Sequence, residues 1–285
     1  MLRSVLYFCL WLLGISSSNN AWYAKYKDYG LIIIGVHSPE FDFEKNYDNV
    51  NAAVKRFGIQ YPVVLDSNHG TWDAYQNQFW PNEYLIDTDG FIVHQHAGEG
   101  NYAETETAIQ ATLKERAQAL GLNIQIPSGT VSPSATAIDF SQVGSPETYF
   151  CSNRNEYLGN GTQGAVGTQT LTIPSSISSN KLYLGGMWNF QNEYAENQGS
   201  AKVIFKYTAK NVYLVASSKN GATIKVFRDG QPLGAAAGAD VGSDSAAHIK
   251  DNRLYQLIGQ GDYSEHTIEI DVDSGTLDAY TFTFG

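Results

Sequence analysis

Trp80-Pro81-Asn82-Glu83-Tyr84-Leu85-Ile86-Asp87 runs through Thr88-Asp89-Gly90 into Phe91-Ile92-Val93-His94-Gln95-His96. Residues 84–87 and 91–96 read as strands. Asp87-Thr88-Asp89-Gly90 is a tight-turn signal, so the pair is antiparallel. Upstream, residues 31–36 (LIIIGV) form a continuous apolar run, the pattern of a strand buried on both faces. Residues 61–66 (YPVVLD) form a second such strand. Between them residues 41–57 read as a helix, with Phe43, Val50, Val54 and Phe57 near one face and Gly58 as its stop. A strand–helix–strand unit of this length is a right-handed parallel crossover. Residues 71–78 read as a short helix. The last helix is expected over residues 102–120. Asn101 and Glu104 have capping-box spacing, Ile109, Leu113, Ala117 and Leu120 make one apolar stripe, and Gly121 closes it.

Beyond residue 120 the pattern changes. Residues 121–142 are rich in Ser, Thr, Pro and Ala and read as a linker. From residue 143 to 285 no strong helix is expected. Strand-like runs recur at 202–207, 212–216, 223–228, 254–258, 266–272 and 279–284, with Asp229-Gly230 as a hairpin signal. Short strands between Gly, Ser and Asn turns predict an antiparallel β-sandwich, jelly-roll-like in kind.

The chain has 285 residues, enough for about two domains of ~100–200 residues each. Its net charge is −11. An acidic chain with no basic run argues against nucleic acid or an anionic membrane surface as the main partner. The two cysteines, Cys9 and Cys151, exclude a disulfide scaffold and a cysteine-rich metal site. Cys151 reads as a buried, inert thiol. No G-x-x-x-x-G-K phosphate loop and no G-x-S-x-G elbow is present, and no cofactor is implied.

Residues 1–20 stand apart. Arg3 precedes the apolar residues 4–15, and Ser16-Ser17-Ser18-Asn19-Asn20 follows. This pattern fits a secretory signal or membrane tether. A buried strand and a displaced N-terminus are the other readings. With the first of these the protein is extracytoplasmic, and the membrane is met only through this segment.

The order strand, helix, strand, antiparallel hairpin, helix resembles the thioredoxin fold from the latter part of its first helix onward. Trp80–Asp87 is similar to the Pro-x-x-aromatic-Leu-Ile-Asp segment of TlpA-type thioredoxin-like proteins, in which the proline is cis and begins the strand beside the redox site. Gly35-Val36-His37-Ser38-Pro39-Glu40-Phe41 resembles a segment of DipZ-like proteins. So do Thr71-Trp72-Asp73-Ala74-Tyr75, His96-Ala97-Gly98-Glu99-Gly100, Ser145-Pro146-Glu147-Thr148-Tyr149 and residues 279–285. The resemblance covers residues 21–285. It implies a thioredoxin-like α/β domain over 21–120 and a carbohydrate-binding-module-like β-sandwich over 143–285. It also implies a thiol–disulfide oxidoreductase of the redoxin type, acting outside the cytoplasm. The chain departs from the family at the front, where a first strand and a C-x-x-C are expected. Residues 10–20 hold no cysteine. Exchange chemistry needs a thiolate of lowered pKa and a second thiol to resolve the mixed disulfide. The expectation is therefore a thioredoxin-like domain without its first strand and dithiol, redox-inactive as written.

Candidate binding residues follow from the same comparison. Trp80 and Pro81 form the edge at which thioredoxin-like proteins pair with an extended peptide or thiol protein. His37 ends a parallel strand, where open α/β sheets bind ligands, although a loop-capping role is the alternative. His94 and His96 share one strand face and could begin a metal site, but no third ligand is placed, so no metal is assigned. His96 and Glu99 belong to the matched segment and are candidate site-lining residues. In the second domain Trp188 and Tyr194, near Tyr183, Phe190, Asn189, Gln191 and Glu193, are candidates for stacking on a glycan. Core packing is the alternative. Asp240, Asp244, Asp271 and Asp273 offer oxygen ligands for calcium, at a spacing unlike an EF-hand, or are solvated turns.

Overall fold

The computed structural model describes residues 5–8, 13–131 and 138–285, and divides into two compact units, residues 1–137 and 138–285. The first runs β1 (Val5–Phe8), α1 (Leu13–Tyr26), β2 (Ile33–His37), α2 (Tyr47–Arg56), β3 (Val63–Leu65), α3 (Gly70–Ala74), β4 (Asn82–Ile86), β5 (Ile92–Ala97) and α4 (Tyr102–Ala119). Its sheet has the order β3-β2-β1-β4-β5. β1 is parallel to β2 and antiparallel to β4, while β4 and β5 are antiparallel. The class is the expected one, a thioredoxin-like α/β domain. The front is not as expected: the strand thought missing is Val5–Phe8, at the centre of the sheet. The apolar run that reads as a leader contributes a strand paired with β2 on one side and β4 on the other.

α1 also crosses the boundary expected at residue 20. Ser18, Trp22 and Tyr26 recur every fourth residue, one face of a helix. All three are almost wholly buried, as is Asn19. Trp22 and Tyr26 pack with Ile33, Val50, Tyr61, Leu85, Ile109 and Leu113 into the main core of this unit. On the other face of the sheet Val36 and Tyr84 pack with Ile34, Trp72 and Tyr75.

The helix expected over 41–57 is broken. A short 3₁₀ turn, Asp42–Lys45, precedes α2. Asn46 separates them because its side chain caps α2, accepting from the Asp48 N–H at 2.8 Å. At α4 the capping box does not form: Asn101 takes φ 49° and makes no side-chain cap.

The linker expected over 121–142 is docked for its first half. Glu106, fully buried on α4, accepts from the Val131 N–H at 2.7 Å, from Lys25 Nζ at 2.8 Å and from the Tyr26 hydroxyl at 2.7 Å. Lys25 and Gln110 both donate to the Gly129 carbonyl. Ile126 and Val131 pack on the main core. A segment without regular structure is held by a buried carboxylate, a long-range partner that local composition does not reveal.

The second unit is all-β: β6 (Thr148–Tyr149), β7 (Gly167–Leu171), β8 (Leu182–Phe190), β9 (Ala195–Thr208), β10 (Val212–Ser217), β11 (Ala222–Arg228), β12 (Gln231–Pro232), β13 (Ala246–Ile249), β14 (Arg253–Ile258), β15 (Glu265–Ser274) and β16 (Asp278–Phe284). These eleven strands form one hydrogen-bonded antiparallel system. Their inward faces share one core, with Trp188, Phe190, Phe205, Tyr255 and Phe282 among its largest members. This is the expected sandwich. β8, which was not anticipated as a strand, passes through Gly185-Gly186. Gly186 has φ +91°, and a Cβ there would meet the Ser200 carbonyl at 2.6 Å, so the close approach to β9 requires glycine.

Candidate functional site

The end of β2, the turn after β3 and the segment before β4 converge. His37, the last residue of β2, is 1% exposed and donates Nε2–H to the Glu44 carbonyl at 3.0 Å. Burial drives its imidazole down to about 4. The ring is neutral, and its bond to Glu44 holds the following loop, as the capping reading expects. Glu44 in turn accepts from the backbone N–H groups of Glu40 and Phe41.

Ser38 is the next link. Its hydroxyl donates to Asp66 at 3.0 Å. Asp66 also accepts from the N–H groups of Thr71 and Trp72, at 2.9 and 2.8 Å. Burial alone would raise the Asp66 carboxyl, but these donors outweigh it and hold the group below its ordinary value. α3 is thus pinned at its first turn. The result is to fix Trp72, whose ring lies 4.2 Å from that of Trp80. Trp80 Nε1–H donates to the Ser38 carbonyl at 3.1 Å.

The Trp80–Pro81 peptide is cis. The Pro81 carbonyl accepts from the Gly98 N–H at 2.8 Å, and the Phe79 carbonyl accepts from the Asn77 side chain at 2.9 Å. Between them, the backbone N–H and C=O of Trp80 meet no partner among the described residues. Trp80 is half-buried and Phe79 is 53% exposed. A fixed ring pair therefore frames one residue whose backbone N–H and C=O are unused, beside the first residues of β4. That is the local requirement for adding an extended chain.

His96 and Glu99 lie on the opposite side of the sheet from Trp72. His96 is directly across from Glu83 in the β4–β5 ladder. Glu99 accepts from the Tyr102 hydroxyl, and burial pushes its carboxyl up to about 7. Sequence reading did not single out Glu83. It is 1% exposed, and burial pushes it up to about 8. A charged type at an inward position of a strand, in phase with Leu85, was the available signal. His94 is engaged by Thr105 at 3.1 Å. Among the described residues no cluster of three His, Cys, Asp or Glu side chains suits a metal.

In the second unit Trp188 is fully buried and donates Nε1–H to the Gly185 carbonyl at 3.0 Å. It belongs to the core and has no face for a sugar. Tyr183 and Phe190 are buried with it. The alternation of β8 sends Trp188 and Phe190 into the core, which the Gly-rich composition conceals, and turns Tyr183 to the other face, where its hydroxyl accepts from the Ser178 N–H at 3.0 Å. Tyr194 is half-buried, 5.3 Å from the Tyr280 ring. The aspartates considered for calcium are dispersed: Asp240 pairs with Arg253, Asp244 with Lys225 and Asp271 with Lys202. Cys151 is buried, and burial raises its thiol. Cys9 lies outside the described residues.

Residues 145–285 match the family described as thioredoxin like C-terminal domain. Protein DipZ of Mycobacterium bovis is 34% identical over 265 residues, which cover 93% of this chain and 35% of that protein. The chain thus spans about a third of the length of the first curated relatives it matches. Thiol-disulfide oxidoreductase YkuV of Bacillus subtilis is 27% identical over 96 residues, 34% of this chain and 64% of that protein. A solved structure of a thioredoxin-like protein in the oxidized form aligns with 40% of this chain and 80% of its own, at 24% identity and a TM-score of 0.36, a likeness too slight to argue from.

Proposed function

Because this chain is a DipZ-like member of the thioredoxin-like thiol–disulfide oxidoreductase family, we propose that it works as an extracytoplasmic peptide-binding member of that family, without dithiol chemistry of its own. The observation that carries the reading is the unpartnered backbone of Trp80, held between the Trp72 stack and Pro81. An extended segment of another protein would pair there, antiparallel or parallel, as an added strand. The chain holds no C-x-x-C. A mixed disulfide formed by a single thiol has no neighbouring thiol to resolve it, and a serine hydroxyl cannot substitute. No described helix is long and apolar enough to cross a membrane.

The test uses the full chain. Extended cysteine-free peptides are titrated while the backbone amide resonance of Trp80 is followed by NMR. A saturable shift at the Trp80 amide supports the reading. Binding that leaves Trp80 unmoved removes it. In parallel, reduced protein should reduce insulin no faster than buffer, and a clear catalytic rate would overturn the redox part.

A second reading keeps the sandwich as a glycan binder. It is favoured by one observation: Tyr194 sits against Tyr280 and near Asp278, whose Oδ1 is buried without a partner among the described residues. Retention on cell-wall glycan that is lost in Tyr194→Ala would support it, and no retention would exclude it.

A further inference from the structure

A polar cluster lies between the β4–β5 hairpin and α4, away from the peptide edge. Glu83 Oε2 accepts from the Thr105 hydroxyl at 3.1 Å, and that hydroxyl is 3.1 Å from His94 Nε2. Thr105 is 1% exposed, whereas His94 is half-buried. Glu83 Oε1 is buried and meets no partner among the described residues. The same holds for Nε2 of His96, the residue opposite Glu83 in the ladder. Opposed residues on one sheet face stand ~5 Å apart at Cβ. From the loop before α4, Glu99 acts on Glu83 by repulsion. From α4 itself Tyr102 faces both carboxyls. Tyr61, between α2 and β3, feels Glu83 from the remaining side and bonds to Asn19 of α1. No lysine or arginine is among the groups acting on Glu83. A buried carboxyl in such company takes up a proton sooner than it keeps a charge.

We propose that Glu83 is the inner end of a proton-binding site, filled and emptied through the Thr105 hydroxyl and the His94 imidazole. In the empty state His94 Nε2–H donates to Thr105, and Thr105 donates to the Glu83 carboxylate. A solvent proton arrives at His94 Nδ1. Nε2–H then moves to Thr105 Oγ1 as the former Thr105 proton moves to Glu83 Oε2. His94 stays neutral, Thr105 keeps one hydrogen, and Glu83 becomes the acid. The hydrogen bonds now run the other way, from Glu83 to Thr105 to His94. Release reverses each step.

Burial pushes Glu83 up to about 8 and Glu99 up to about 7, with their mutual repulsion adding to the Glu83 shift. The site is therefore filled at neutral pH and empties under mildly alkaline conditions. The folded value of Glu83 lies above its ordinary 4.5, so the stability it contributes is complete below 4.5 and is lost as pH rises through about 8. The affected contact is the seat of α4 on the hairpin.

The experiment is a carboxyl-carbon NMR titration of the full chain labelled at glutamate, with Glu83→Gln assigning the resonance. A Glu83 signal that stays neutral at pH 6 and titrates near 8 supports the site. A signal titrating near 4.5 overturns it. Thr105→Val removes the bond that favours the charged form, so the midpoint should rise further and proton exchange at the carboxyl should slow. An unchanged midpoint and exchange rate would remove Thr105 from the path. Glu99→Gln, a second variant should Glu83→Gln fail to fold, deletes the facing charge and should lower the Glu83 midpoint. No lowering would overturn the coupling.

Discussion

Trp80 hangs from Ser38: the indole N–H donates to the Ser38 carbonyl at 3.1 Å, so the residue before Pro81 is fastened to the end of β2. Trp80→Phe keeps a ring for Trp72 and deletes this one donor. The loss should be about 1 kcal/mol by urea unfolding, the usual net worth of a neutral hydrogen bond. Peptide affinity at the edge should fall several-fold, read by titration, because the strand-adding unit is no longer held in place.

Asp66 collects three donors, from Ser38, Thr71 and Trp72. Asp66→Ala strands all three and should cost about 1–3 kcal/mol. The carboxyl is depressed in the folded protein, so its contribution is present above its ordinary 3.8 and fades as pH falls through the lower folded value. Melting temperature followed across acid pH should show a smaller acid loss in Asp66→Asn than in the parent.

His37 supplies a second acid limb with a different window. Its folded value of about 4 lies below the ordinary 6.5, so the neutral ring is favoured by folding. Stability from this group is complete above 6.5 and declines as pH falls toward 4. A His37→Gln variant that folds should lose less stability than the parent between these values, as measured by thermal melts.

Glu106 holds the stretch leading out of the first unit. Without it Lys25, which is 19% exposed, can turn to water, but the Val131 N–H and the Tyr26 hydroxyl lose their acceptor. Glu106→Ala should cost about 1–3 kcal/mol. Limited proteolysis should then cut within residues 122–131 faster than in the parent.

Trp188→Ala and Tyr194→Ala separate core from surface. The first empties the largest buried position of the sandwich and should cost about 3–5 kcal/mol. The second should cost far less, since Tyr194 is only half-buried. Equal losses in chemical denaturation would contradict the placement of β8.

Where side-chain period and turn chemistry agree, the sequence was legible. LIIIGV and the Asp87–Gly90 turn each produced the expected element, and so did six of the runs in the sandwich, whereas YPVVLD became the edge strand β3, with Val64 and Leu65 exposed, and not a strand buried on both faces. β8 was hidden because Gly185-Gly186 interrupts its alternation, which made an inward row of aromatics look like a surface patch. The linker looked free because its anchor, Glu106, lies on another element. The cis bond at Pro81 was legible through a resemblance of motif. Glu83 was not, because a lone glutamate in a strand shows its burial only when α4 is laid over it.

β1 is four residues long, yet in the sheet of the first unit β2–β3 and β4–β5 meet only across it. The two pairs are like leaves on one hinge pin. Neither can share its ladder with the other until that pin is seated, so sheet assembly in this unit should finish there and not begin there. Any competing segment that took its place would leave both leaves intact and the door off its frame.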